Sequence, residues 1–198
     1  MRGVCRITCF FEDIAHERFI KTIVERAGQE IGMRMEVSVR SATHGSRVWR
    51  ELEQYLKDIQ KRVEPMPDVL VVVTDGNCQK EMQVRKRIQG LTSKYSFPDE
   101  CVVCAIPNPH IERWYLEDQQ ALTGVISRSK PKKLRYKCER DWYKQALVEA
   151  IRKAGIEPLL GGAEYGDEIA RMLNPSKLDR SFRNFWDELR RVLKSYAH

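Results

Sequence analysis

Asp68-Val69-Leu70-Val71-Val72-Val73-Thr74-Asp75-Gly76-Asn77 decides the fold. Four valines and a leucine in unbroken succession form a strand too apolar to face water on either side. Such a strand belongs inside a sheet whose two faces are both covered. Pro65 and Pro67 close whatever precedes it, and Asp75-Gly76-Asn77 turns the chain at its carboxyl end.

Working outward, the same pattern recurs. Val4 to Phe11 is a second apolar run of β-formers, and Cys101 to Ile106 a third. Met33 to Arg40 alternates, with Met35, Val37 and Val39 on one face. Helical spacing fills the intervals: Phe19, Ile20, Ile23, Val24 and Ala27, punctuated by Gly28 and Gly32; then, after a loop with Gly45, Trp49, Leu52, Leu56, Ile59 and Val63. Gln79 to Gln89 reads as a helix with a basic outer face, and Ile111 to Leu122 as one continuous helix. Strands separated by helices of this length imply right-handed crossovers and a mostly parallel α/β sheet flanked by helices.

After about Thr123 the pattern changes, which divides the chain into a core over 1–124 and a helical C-terminal extension over 125–198. The extension holds a basic loop, a helix from Asp141 to Ala154, a turn at Gly161-Gly162 and further helix to the end. Phe182, Phe185, Trp186, Leu189, Val192 and Leu193 give its last helix a wide apolar face, which either packs on the sheet or receives a partner.

Composition excludes several classes. In 198 residues, 42% hydrophobic and 32% charged, no apolar run approaches the roughly 20 residues that span a bilayer. No membrane partner is therefore expected. The N-terminus lacks a long apolar segment and a small-residue cleavage site, pointing to a cytoplasmic chain. Cys5, Cys9, Cys101 and Cys104 lie in strand-like runs and read as core thiols. The Cys101/Cys104 pair resembles a zinc knuckle, but residues three apart on a strand point to opposite faces.

The net charge of +7 is concentrated locally. Between residues 128 and 140, Arg128, Lys130, Lys132, Lys133, Arg135, Lys137 and Arg140 are opposed only by Glu139, a local charge of +6. That stretch is either a solvated loop or a contact for phosphate and nucleic acid.

In open parallel sheets ligands bind beyond the carboxyl ends of the strands. Glu12-Asp13 follows the first strand, Asp75-Gly76-Asn77 the third, and Asn108, His110 and Glu112 the fourth. Taken singly, Asp13 and Asp75 could cap helices and Glu112 could favour a helix N-terminus. Together they form a cluster of like charge whose repulsion a cation such as magnesium offsets. Trp114 reads as core. Asp118, about 240° around a regular helix from Glu112, reads as a structural hydrogen-bonding group.

These residues carry a resemblance. The chain resembles the toprim domain of topoisomerases, primases, recombination mediators and overcoming-lysogenization-defect nucleases. Glu12 in Cys9-Phe10-Phe11-Glu12-Asp13 matches that family's glutamate after its first strand, and Asp75-Gly76-Asn77 its Asp-x-Asp motif. Within the superfamily it is most similar to small bacterial toprim-like proteins, through Glu112-Arg113-Trp114-Tyr115-Leu116-Glu117-Asp118 and the aromatic segment Ser181 to Leu189.

The resemblance implies phosphoryl chemistry on DNA or RNA with Mg2+ (or Mn2+). Glu12 serves as acid/base or ligand, and Asp75 and Asn77 hold metal. Asn77 keeps an oxygen ligand but removes a charge that Glu112 restores. Nuclease members often continue Glu-Gly-x-Thr-Glu; here the glycine is absent and His16 stands in the second acid's place, a candidate for phosphate contact or acid/base work. The implied setting is phage defence or a mobile element, beside an ATPase partner. The contrasting expectation is a catalytically silent adaptor for nucleic acid or a partner protein. Nucleotidyl transfer is weakened by the lack of a Gly-rich phosphate loop.

Overall fold

A computed structural model describes residues 4–43, 47–132 and 134–197 of the chain. Its centre is a four-stranded, all-parallel sheet in the order β2-β1-β3-β4. The strands are β1 (Cys5–Phe11), β2 (Met35–Ser41), β3 (Val69–Val73) and β4 (Val102–Ala105). The valine run that decided the reading is a central strand, buried at every position.

Eight α-helices, with short 3-10 turns between some of them, accompany the sheet among the described residues: α1 (Ile14–Glu30), α2 (Val48–Gln60), α3 (Glu81–Lys94), α4 (Ile111–Glu117), α5 (Gln119–Val125), α6 (Trp142–Arg152), α7 (Gly166–Met172) and α8 (Arg180–Ala197). Alternation along β1 and β3 sends Ile7, Cys9, Val69 and Val71 to one face, and Phe10, Leu70 and Val72 to the other. On the second face lies a smaller layer built from α2 and α3. The first carries everything else, with α1, α4, α6, α7 and α8 sharing one continuous core. The parallel α/β expectation holds, and the last helix packs into the core through Phe182, Phe185, Leu189 and Leu193.

The nucleus of that larger layer is aromatic. Trp114 is fully buried, 5.0 Å edge-on to Phe182 and stacked at 6.0 Å on Phe185, with Phe19 completing the cluster. Its indole N–H donates to Ser181 Oγ at 3.0 Å, so the one polar atom is satisfied. Arg113 Nε and Nη1 pair with Glu117 and Asp179 at 2.9 and 2.8 Å, clamping α4 to the start of α8.

Two local readings change. The helix expected over Ile111 to Leu122 breaks at Asp118, whose ψ of 85° leaves helical geometry. The Asp118 carboxylate accepts from Gln120 N and Ala121 N to start α5, and from Asn174 N at 2.8 Å. Its structural role stands, but as a cap between two helices. Cys101 lies in a one-turn 3-10 helix before β4, so strand alternation does not govern it. Both Cys101 and Cys104 face the α2/α3 layer.

A third change concerns the cysteines. Cys78, in the loop after β3, and Cys138, in the basic segment, are joined as a disulfide with Cα atoms 5.7 Å apart. Cys5, Cys9, Cys101 and Cys104 are free.

Truncating Trp114 to alanine empties the centre of the aromatic cluster and should cost about 3–5 kcal/mol in urea denaturation. Leu159→Ala, at a site 87% exposed, should stay within about 0.5 kcal/mol.

Candidate functional site

The strand order makes β1 the point where the chain first winds outward to β2 and then returns to add β3 on the other side. A crevice opens at the carboxyl end of such a switch point. Glu12 follows β1 and Asp75 follows β3, so two of the expected acids sit directly at it.

Backbone contacts lock the loops that carry them. Gly76 N donates to the Pro107 carbonyl at 2.7 Å and Asn77 N to the Pro109 carbonyl at 3.0 Å, stitching the turn after β3 to the turn after β4. A Cβ on Gly76 would stand 3.1 Å from the Pro107 oxygen, a tight contact that favours glycine in this close approach. The registration carries His110 against Asp75, its Nδ1 3.2 Å from Oδ2.

Asp13 is the N-cap of α1, its Oδ1 accepting from Ala15 N and His16 N at 2.9 and 3.2 Å. The same oxygen accepts from His16 Nδ1 at 2.8 Å, while His16 Nε2 donates to Asp75 Oδ1 at 2.9 Å. His16 is completely buried. The place that the resemblance offered for phosphate contact or acid/base work is thus held by a ring with no solvent exposure, engaged by two carboxylates.

Charge states follow from the partners. Burial alone would depress the His16 pKa, but the charge of Asp75 and hydrogen bonds to both carboxylates raise it well above the ordinary value. Burial likewise opposes ionisation of Asp13, yet bonds from His16 and the α1 backbone bring it down to about 2. In Asp75 the burial effect is outweighed by His16 and His110, and its pKa is lowered. Ionised carboxylates only accept, so a ring between two of them carries both protons. His16 is an imidazolium, and Asp75 serves as its partner instead of capping α3.

Glu12 and Glu112 differ from these. Glu12 Oε2 accepts from Thr74 Oγ1 at 2.8 Å and Asp75 N at 2.9 Å, but its Oε1 has no partner among the described residues. Burial first, with the Asp75 charge adding, raises its pKa. Glu112, half-buried in the first turn of α4, has no ion pair and no hydrogen bond to another residue's side chain among the described residues; its carboxylate is engaged by its own backbone N–H. Burial and the nearby Asp75 charge raise its pKa too. Four carboxyls, of Glu12, Asp13, Asp75 and Glu112, thus face the rings of His16 and His110. Even with both rings protonated, two negative charges are left over.

Glu12, His16 and Asp75 each offer one ligand atom, all within 4.8 Å of one another, a group able to hold a metal ion. A doubly protonated ring does not ligate, so the atoms open to a cation in the protonation state described are carboxylate oxygens. Asn77 is exposed in a left-handed conformation (φ 46°), its amide donating to the Asp75 carbonyl at 3.3 Å. No hydrogen bond links it to the clustered carboxylates.

The basic segment runs beside this centre. It is tied to the Asp75 loop by Cys78–Cys138, and Tyr136 Oη donates to Asn108 Oδ1 at 3.2 Å. Arg128, Lys130 and Arg135 are exposed. Lys132 stands 3.9 Å from Glu149, Arg140 3.7 Å from Asp141, and Lys137 pairs with Glu139. Lys133 lies outside the described residues. The disulfide and Tyr136 went unread in the sequence; the signal was only that Cys78 and Cys138 flank the acidic loop and the basic run. Among the described residues no helix is long and apolar enough to cross a membrane. Comparisons with protein-family models, curated proteins and solved structures find no match.

The His16 linkage gives a pH signature. Folding raises its pKa, so the ring's contribution is complete below about pH 6.5 and is lost as pH rises through the folded value. Asp13 acts oppositely: its contribution is present above about pH 3.8 and is lost as the pH falls toward its folded value of about 2. His16→Gln should cost about 3 kcal/mol or more at neutral pH. It should also remove the alkaline loss of stability seen in denaturant titrations of the parent chain.

Proposed function

We propose that the chain is a Mg2+- or Mn2+-dependent phosphoesterase acting on nucleic acid, in the manner of the toprim-like proteins its sequence resembles. One observation carries the reading: Glu12, its Oε1 unpaired, lies with His16 and Asp75 in a group whose ligand atoms are within 4.8 Å of one another, and the Asp75 charge also reaches Glu112 and raises its pKa. Uncompensated carboxylates in that position are costly unless a cation or proton neutralises them.

The donor set fits a hard divalent ion. With His16 protonated, the oxygens of Glu12 and Asp75 are the atoms of the observed group open to an ion, and Glu112 on α4 would add a further carboxylate. Such an ion, when bound, supplies positive charge to a phosphoryl oxygen and acidity to a coordinated water. The chain's own groups do the rest. His16 fixes Asp75 and offsets part of its charge. His110 presents an imidazole backed by the Asp75 carboxylate, able to hold or give a proton at the crevice mouth. Arg128, Lys130, Lys132, Arg135 and Lys137 offer the nucleic-acid backbone a positive rim, tethered to the acidic loop by Cys78–Cys138.

A second reading, the catalytically silent adaptor, draws on His16 itself. An imidazolium already occupies one oxygen of Asp75, and His110 the other. In that reading His16 is the site's resident cation, and the basic rim acts alone.

Glu112→Gln separates the two. The substitution keeps shape and breaks no described side-chain hydrogen bond, unlike Asp75→Ala, which would strand the buried His16 ring. By calorimetry the parent chain should bind Mg2+ or Mn2+. Glu112→Gln should weaken binding by roughly tenfold or more, a loss of about 1.4 kcal/mol, and abolish metal-dependent cleavage of DNA or RNA. An absence of binding at millimolar metal, or equal binding by the variant, would sink the metal reading in favour of the adaptor.

A further inference from the structure

A second recess lies one helical turn from the acids. Leu116 follows Glu112 by four residues in α4, which places the two on one face about 6 Å apart along the axis. Leu116 lines a cavity of about 260 Å³ together with Leu134, Trp142, Lys130, Lys132 and Lys153. That volume is at the small end of ligand pockets. It suits a single flat ring system more than an extended ligand.

The lining combines two chemistries. Leu116, Leu134 and the Trp142 ring form an apolar floor, and three lysines stand around it. Glu149 is the single carboxylate in the lining, bonded to Lys153 at 2.7 Å and 3.9 Å from Lys132, so the pocket keeps a positive surplus of two. Trp142 adds a more pointed observation. Its indole N–H is buried and has no hydrogen-bond partner among the described residues. The N–H is shut away from solvent, so a ligand in the recess meets the ring and not the donor. The ring's only described cation contact is Lys137, whose ammonium lies 3.9 Å from the centroid. An exposed ammonium on a ring is a weak cap that a stacking base displaces.

We propose that this recess is a base-binding subsite, in which an unpaired base of single-stranded nucleic acid stacks at Trp142 while Lys130, Lys132 and Lys153 hold its flanking phosphates. The inference rests on the phosphoesterase reading for the neighbouring centre and deepens it by naming the substrate class. A duplex keeps its bases paired and stacked and cannot place one in the recess without extruding it. A single strand presents each base freely, and every base has a face to stack. DNA and RNA share this chemistry.

The test is fluorescence anisotropy of the full chain in chelator, with a labelled single strand of about a dozen nucleotides and the duplex of the same sequence, each as DNA and as RNA. The single strand of at least one nucleic acid should bind roughly tenfold tighter than its duplex. Trp142→Ala should lose about that factor on single strands while leaving duplex binding unchanged. Trp142→Phe, which keeps a smaller ring to stack on, should fall between. Thermal melting establishes that the variants fold. Should Trp142→Ala not fold, Lys153→Gln, which lies outside the basic segment, probes the same recess and should lose affinity for single strands more than for duplex. Equal affinity for single strand and duplex overturns the proposal, as does a folded Trp142→Ala or Lys153→Gln that binds like the parent. Because no metal is present, the outcome is separable from the metal reading. Strand selectivity without metal binding leaves the subsite standing alone, and metal-dependent cleavage without it leaves the phosphoesterase standing alone.

Discussion

Everything at the carboxyl edge of the sheet depends on a buried positive charge. The His16 ring bridges Asp13, the cap of the first long helix, to Asp75, at the end of the central strand. One side chain thereby fixes the start of α1 against β3 and makes an ionised Asp75 tolerable where solvent barely reaches. A neutral side chain of the same size would leave Asp75 buried without its main counter-charge. Asp75 in turn holds His110, so the turns after three neighbouring strands are registered through hydrogen bonds between rings and carboxylates.

That arrangement divides the acids into two kinds. Asp13 and Asp75 are ionised and committed to histidine, whereas Glu12 and Glu112 are raised in pKa and only partly engaged. Pairs of titratable groups pushed apart by their surroundings are a common mark of sites that bind charge or move protons. Structural ion pairs perturb pKa values as well, but those groups have partners. Glu112 has none among the described side chains, which sets it apart from an ordinary surface network.

Much of this was legible in the sequence. The valine run at Val69 to Val73 forced a sheet covered on both faces, and crossover lengths forced parallel pairing. Glu12, Asp75 and Glu112 followed from strand-end position alone. His16 did not, because helical periodicity says which residues share a face but not how deeply the first turn sinks beneath a neighbouring strand end. The break at Asp118 was hidden because the cap's decisive partner, Asn174 N, lies 56 residues away. The Cys78–Cys138 link and the unmet indole of Trp142 are likewise products of tertiary proximity. No local pattern encodes them.

The aromatic cluster has a consequence for when the centre comes into being. Glu112 rides on α4, and α4 is anchored by Trp114 against Phe182 and Phe185 and by Arg113 against Asp179. During synthesis the strands and α1 emerge more than sixty residues ahead of those anchors, at ribosomal rates of about 5–20 residues per second. Emerging α4 can rest on α1, where Phe19 meets Trp114 and Tyr115, but its remaining aromatic and ionic anchors come only with residues 179–185. The helix that bears Glu112 is therefore the part of the acidic centre that is pinned last.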